Sequence, residues 1–312
     1  MFQQIQQNMV QEITTTAHNS TALDAIGKMK ALLQQGSLPK NAYEQFDAVI
    51  HELYTLKDSE TFRDDMRQLR ENYPAIGSDQ TMQGLAFVKK HGYAGDYEII
   101  DKIYTHHVSD HPEFRTWDNY FQQQAAPQAV RNRKAYFKEV LHQLASTNQS
   151  DTIHVLNLAS GPCRDLLEFF QESKDLRFHF TCVELDPNAI AYATSLLGEY
   201  AEHVTFIQQN IFRFVPQETY DLVWSAGLFD YFDDNTFTKI IARFVHQPNV
   251  IIGNFSDTNP TNGYMEVIGE WFLHHRSAGL LRRLARDAGY DKTTIRITHE
   301  PSEINLFLTI KK

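Results

Sequence analysis

The stretch Ile153-His154-Val155-Leu156-Asn157-Leu158-Ala159-Ser160-Gly161-Pro162-Cys163-Arg164 decides how this chain folds. Its first six residues read as an apolar, buried strand. The small residues after them predict a turn whose backbone a ligand can approach closely, with Gly161 the freest position. An equally plain account is a tight strand-to-helix turn with no ligand. Beyond it, Arg164–Phe170 reads as a helix and Phe178–Glu184 as a second strand. Further strands are expected at Val204–Ile207, Leu222–Trp224, Val250–Ile252, Thr293–Ile297 and Leu306–Ile310. Helices at Ala189–Leu197, Phe237–Val245 and Leu280–Ala288 alternate with them. Such alternation predicts an α/β fold, a mostly parallel Rossmann-like sheet covered by helices on both faces.

Toward the N-terminus the pattern changes to helix without strand. Leu23, Ile26, Met29 and Leu33 form one apolar stripe, closed by Gly36 and Pro39. Phe46, Val49, Ile50 and Leu53 form another, and helical segments follow around Thr61–Asn72 and Gln80–Lys90. Gly92-Tyr93-Ala94-Gly95-Asp96 is a loop signal, Tyr97–Tyr104 a helix, His106–Pro112 a loop and Ala129–Leu144 a long helix. The expected division is a helical cap domain over residues 1–126 and a Rossmann-like domain over residues 127–312.

The bulk properties narrow the partners. The net charge is −10 over 312 residues, and no long Lys/Arg cluster occurs. Nucleic-acid binding needs a basic footprint to displace counterions, so a small-molecule partner is expected and a nucleic acid is not. Cys163 and Cys182, the two cysteines, have neither metal nor redox spacing. The opening MFQQIQQNMVQEI lacks a basic start followed by an apolar run, and no stretch is long enough for a membrane span. A cytoplasmic protein without membrane insertion is expected, and self-association into a homo-oligomer is compatible with these properties. His106, His107 and His111 lack partner ligands at structural-metal spacing, so no metal is expected.

In an open parallel sheet, ligands bind beyond the carboxyl ends of the strands. The turn Ala159, Ser160, Gly161 lies there, and so does Glu184, 23 residues past Gly161, with Leu185 beside it. A carboxylate at that offset can accept from both hydroxyls of a ribose; a solvated acid at a strand end is the plain alternative. Asn210, with Ile211, follows the third strand. Its amide can meet an adenine, or it is an ordinary turn residue. Ser225 and Ala226 end the fourth strand, and Phe229 and Tyr231 either wall a site or fill the core.

These four elements in this order resemble the class I S-adenosylmethionine (SAM)-dependent methyltransferase superfamily over roughly residues 150–312. The resemblance implies SAM as cofactor, with the Ala159–Gly161 turn at its methionine part, Glu184 at the ribose and Asn210 at the adenine. It also implies a seventh, antiparallel strand, supplied by Leu306–Ile310. The chain departs from the family at Asn157, where an acid is usual, and at Ala159 and Cys163, where glycines are usual. Cys163 reads as a packing residue rather than a nucleophile.

A narrower resemblance lies in Gly92–Asp96, in Ala129-Val130-Arg131-Asn132-Arg133 and in Asn254-Phe255-Ser256-Asp257-Thr258-Asn259-Pro260. Met265-Glu266, Trp271, His274 and Arg276 complete it. Together these are similar to a bacterial group that includes enzymes forming methyl esters of 3-hydroxy fatty acids such as 3-hydroxypalmitate. A carboxylate acceptor is ionised at neutral pH and needs no general base; a hydroxyl or amine would need one. Tyr93, Asp257, Glu266 and His274 are the candidates around such chemistry. Arg131, Arg133 or Arg276 could pair with a carboxylate, and Trp271 belongs to the acceptor side. Ion pairs that merely hold the fold are the alternative for each. Tyr93 and Asp96 are expected to meet the cofactor from a lid, Asp96 at the amino group, with Asp96→Ala leaving the melting curve nearly unchanged. Two other functions remain open. An NAD-dependent oxidoreductase lacks support, because G-x-G-x-x-G is absent and Pro162 interrupts the turn. A non-catalytic SAM-binding sensor or scaffold is the other.

Overall fold

The computed structural model describes residues 23–59 and 61–312. The N-terminal stretch read above for a leader lies outside them. The chain forms two compact units, each drawn from more than one segment.

The larger unit holds Asp96–His106, Ala125–Pro260 and Phe272–Lys312. Its strands are β1 (Ile153–Leu158), β2 (Phe178–Glu184), β3 (Val204–Gln208), β4 (Leu222–Ser225), β5 (Asn249–Phe255), β6 (Ile295–His299) and β7 (Asn305–Lys311). They form one sheet in the order β3-β2-β1-β4-β5-β7-β6. Strands β1 to β5 pair in parallel, and β7 runs antiparallel to both β5 and β6. This is the mostly parallel sheet with an antiparallel final strand that the sequence predicts. Strand order reverses beside β1, which puts a ligand crevice at the tips of β1 and its neighbours.

Alternation along the central strands explains the two cores. Ile153 and Val155 of β1 face one cluster and Leu156 and Leu158 the other. The first cluster includes Phe137 and Leu141 of the helix Ala125–Thr147 and Leu166, Phe169 and Phe170 of Arg164–Ser173. The Phe137 ring stacks on Trp224 of β4 at 4.3 Å between centroids. The second cluster is closed by the helices Asp234–Ile241 and Ala278–Asp287. Burial on both faces is what makes the parallel strands read as apolar runs. Strand β6 starts two residues later than predicted, because the Asp291 side chain accepts from the Thr293 amide and hydroxyl in a local turn.

The smaller unit comprises the described residues up to Gly95 together with His107–Gln124 and Thr261–Trp271. Helix covers residues 23–33, Tyr43–Thr55, Phe62–Asn72, Pro74–Gly77, Met82–Val88, Pro112–Gln123 and Asn262–Gly269. Its center is aromatic: Phe46 packs edge-on against Trp117 at 5.4 Å and Tyr120 at 5.0 Å, and Tyr120 against Tyr264 at 5.4 Å. Such rings combine large buried area with favourable edge-to-face geometry. Of the first stripe, Met29 and Leu33 are buried, Ile26 is half-buried and Leu23 is exposed; Ala25 and Leu32 of the same helix are buried as well. No described helix is long and apolar enough to cross a membrane.

Candidate functional site

The turn after β1 has left-handed backbone at Ala159 (φ 52°), Gly161 (φ 56°) and Cys163 (φ 53°). Residues with a Cβ pay for that conformation, about 1–2 kcal/mol each. Ala159 and Cys163 adopt it where glycine is usual, so the turn keeps its shape without the residues that make it easy. The space in front of Gly161 is open: a Cβ built there meets no heavy atom within 4 Å. Ser160 Oγ is buried in the same turn with no hydrogen-bond partner.

Glu184, at the end of β2, is tied to this turn. Its Oε2 accepts from the Gly161 amide at 3.0 Å, and its Oε1 from the Leu185 and Asp186 amides at 2.7 and 3.0 Å. Three backbone donors fix the carboxylate at the rim of the crevice. Leu185 and Phe212, after β2 and β3, are exposed apolar side chains at neighbouring strand tips, and Ile211 is half-buried between Asn210 and Phe212. Asn210 Oδ1 accepts from the Phe212 amide at 2.9 Å, so the turn role is present. The Asn210 NH2 remains as a donor for a ligand, with no partner among the described residues.

At the tip of β4, Ser225 is fully buried and its hydroxyl donates to the Leu158 carbonyl at 3.2 Å, joining β4 to β1. Ala226 and Gly227 are half-buried, and the Arg133 guanidinium lies against Gly227, its Nη1 2.7 Å from where a Cβ would be. Phe229 is fully buried in the core, 5.0 Å from Phe237 and 5.5 Å from Phe232, so its ring offers no free face. Tyr231 is 39% exposed.

Of the basic candidates, Arg276 is consumed by the chain. It pairs with Asp234 at 3.0 Å and donates to the Asn254 side chain and to the Phe229 and Phe232 carbonyls. Arg131 is half-buried. Asp257 is exposed, as is His274, whose backbone is held by Asp230 and Asn254. Asp96 is buried and caps the helix Tyr97–Tyr104, accepting from the Ile99 amide at 3.0 Å. That overturns the expectation that Asp96→Ala leaves melting unchanged, since the variant loses a helix cap.

Tyr93, Glu266 and Trp271 belong to the smaller unit. Tyr93 is 39% exposed, Trp271 is buried, and Glu266 forms an ion pair with Lys57 at 2.6 Å. Cys163 packs in the core, where the neighbouring Cys182 thiol and burial push its own thiol well above the usual value; it is no nucleophile. Sequence reasoning missed the unpartnered Ser160 hydroxyl, because partners in space leave no mark in a linear pattern.

Residues 155–247 match a family described as a methyltransferase domain. Among solved structures, a possible exported protein from Bordetella parapertussis is 16% identical, with 95% of this chain and 96% of that one covered and a TM-score of 0.58. The CMeT domain of the citrinin polyketide synthase is also 16% identical, covering 93% and 88% with a TM-score of 0.52. At that identity the likeness is one of fold. No curated protein matches the sequence. Residues 155–247 thus match a methyltransferase domain, and the chain shares its fold with these structures; the expected enzyme class and cofactor, a SAM-dependent methyltransferase, agree with the match.

Proposed function

We propose that the chain methylates a small-molecule acceptor at the tips of β1, β2, β3 and β4, with SAM bound across them. The bond from the Gly161 amide to Glu184 carries this reading, because it makes turn and carboxylate one preorganised surface. The open space at Gly161 and the unpartnered Ser160 hydroxyl fit a polar ligand. Bound SAM supplies an already activated methyl group, so the protein's share is placement. The Ala159–Gly161 turn lies along the amino-acid part. Glu184 accepts from the ribose hydroxyls, and the Asn210 NH2 donates to a ring nitrogen of adenine between Leu185, Ile211 and Phe212. Asp96, beyond its capping bond, serves the cofactor's amino group. Ser225 and Ala226 floor the methyl end, and Tyr231 borders the acceptor.

The acceptor we infer is a carboxylate of the 3-hydroxy fatty acid kind. The residue pattern from Asn254 to Arg276 supports it, as does the exposure of Asp257 and His274, which no rigid partner holds in the geometry of a general base. For a hydroxyl acceptor, Asp257 and His274 are the bases to test. Incubation with methyl-labelled SAM and 3-hydroxy acids of graded chain length decides the matter. Alkali-labile label in the acid is expected, and Glu184→Ala should cut turnover at limiting SAM at least about tenfold, the loss of charge-assisted hydrogen bonds. Cofactor binding with no labelled product from any acceptor favours the sensor reading instead.

A further inference from the structure

Arg133 is the unusual charge of the larger unit. It projects from the helix Ala125–Thr147, is only 6% exposed, and its Nε has no hydrogen-bond partner. Among the described residues no carboxylate lies within ion-pair distance of it. Buried guanidinium groups ordinarily pair, because desolvating an unpaired charge costs several kcal/mol. The Tyr104 hydroxyl lies beside it, and burial pushes that phenol up to about 12, so it stays neutral. Asp230 is near enough to feel the charge but makes no ion pair with it, and burial raises its carboxyl to about 7, so it is only partly charged at neutral pH.

Position gives this orphan charge a meaning. The guanidinium rests on the backbone of Gly227, three residues past Trp224 of β4. Trp224 is paired in register with Asn157 of β1, and three residues past Asn157 stands Ser160 with its own unpartnered buried hydroxyl. The two strands are joined at their tips by the Ser225–Leu158 bond. The unpartnered Arg133 Nε, on a helix-borne guanidinium that lies against Gly227, and the unpartnered Ser160 hydroxyl are thus both buried beside the tips of the adjacent strands β4 and β1. We propose that Arg133, assisted by Ser160, is a carboxylate-binding subsite of the crevice, filled by the cofactor's amino-acid carboxylate or by an acceptor carboxylate. This rests on the SAM-binding reading above. Arg276, saturated by protein groups, cannot share the task. A carboxylate there gives the free Nε a hydrogen-bond partner and places a full negative charge beside a guanidinium that no carboxylate of the described residues pairs.

Calorimetry with S-adenosylhomocysteine, which carries the carboxylate, and 5′-methylthioadenosine, which lacks it, separates the possibilities. For Arg133→Gln, S-adenosylhomocysteine affinity should fall about tenfold to a hundredfold while methylthioadenosine affinity is unchanged. Arg133→Lys should fall in between. The unchanged nucleoside binding also shows that the variant is folded. Should both ligands bind the variant as they do the parent, octanoate is titrated into protein saturated with S-adenosylhomocysteine. Octanoate binding that needs Arg133 assigns the subsite to the acceptor; none overturns the proposal. Equal loss of both nucleosides in Arg133→Gln also overturns it, since Arg133 then only supports the fold. If the parent binds neither nucleoside, the SAM-site reading itself fails.

Discussion

Ala159 shows how a single residue records the demands of a site. A left-handed alanine is unfavourable, yet the turn holds it there, one hydrogen bond from β2 through its own amide. Ala159→Gly relieves that strain and should raise stability by about 1 kcal/mol, read as a higher denaturant midpoint with an unchanged slope. A lower midpoint would mean the alanine methyl contributes packing that outweighs the strain. Asp230 carries a pH signature. Burial raises its folded-state value to about 7, while in the unfolded chain it titrates near ~3.9. Between those values the folded chain keeps a proton that the unfolded chain has lost, so the Asp230 contribution to stability declines as pH rises through that window. Asp230→Asn keeps the acceptor for the Phe255 amide and removes the decline. The stability difference between variant and parent should therefore shift in the variant's favour by up to about 1.4 kcal/mol per pH unit from pH 4 toward 7. A pH-independent difference would show that Asp230 is already ionised when folded.

Among elements, helix caps tie folding to the crevice. Asp186, Asp233 and Asp96 each accept from an amide in the first turn of the helix that follows. Asp96→Ala should lose about 1–2 kcal/mol in chemical denaturation, whereas Asp96→Asn retains a capping acceptor and nearly all the stability. If Asp96 also serves the cofactor's amino group, Asp96→Asn weakens S-adenosylhomocysteine binding without that loss; equal affinity removes Asp96 from the site. The elements also show what a sequence reveals. Strands β1 and β2 were legible because burial on both faces writes a largely apolar run. The turn and Glu184 were legible because the one follows and the other closes such a run. The helix Asn262–Gly269 was not, being short, glycine-flanked and defined by the aromatic core it joins through Tyr264. The helix Pro112–Gln123 is marked in the sequence only by Trp117, Tyr120 and Phe121 on its buried side and by Pro112 in its first turn. Nor could the sequence tell three arginines apart. Only their partners in space separate the saturated Arg276 from the orphaned Arg133.

At the scale of the whole chain, each unit gathers segments that are distant in sequence. The smaller unit takes Thr261–Trp271 from beyond β5, and the larger takes Asp96–His106 from between helical segments. A single cut at residue 126 or 127 does not describe that exchange, because it requires contacts no local pattern encodes. The sheet, by contrast, follows from alternation alone, and its strand order places Glu184, the Gly161 turn, Asn210 and the β4 tip on one edge. The claim on which the rest depends is that this edge grips one sulfonium nucleoside. A crystal structure of the complex with S-adenosylhomocysteine tests it most directly. It should show both ribose hydroxyls on Glu184 and the adenine beside Asn210; a nucleoside bound elsewhere, or a crevice left empty at saturating ligand, would contradict it.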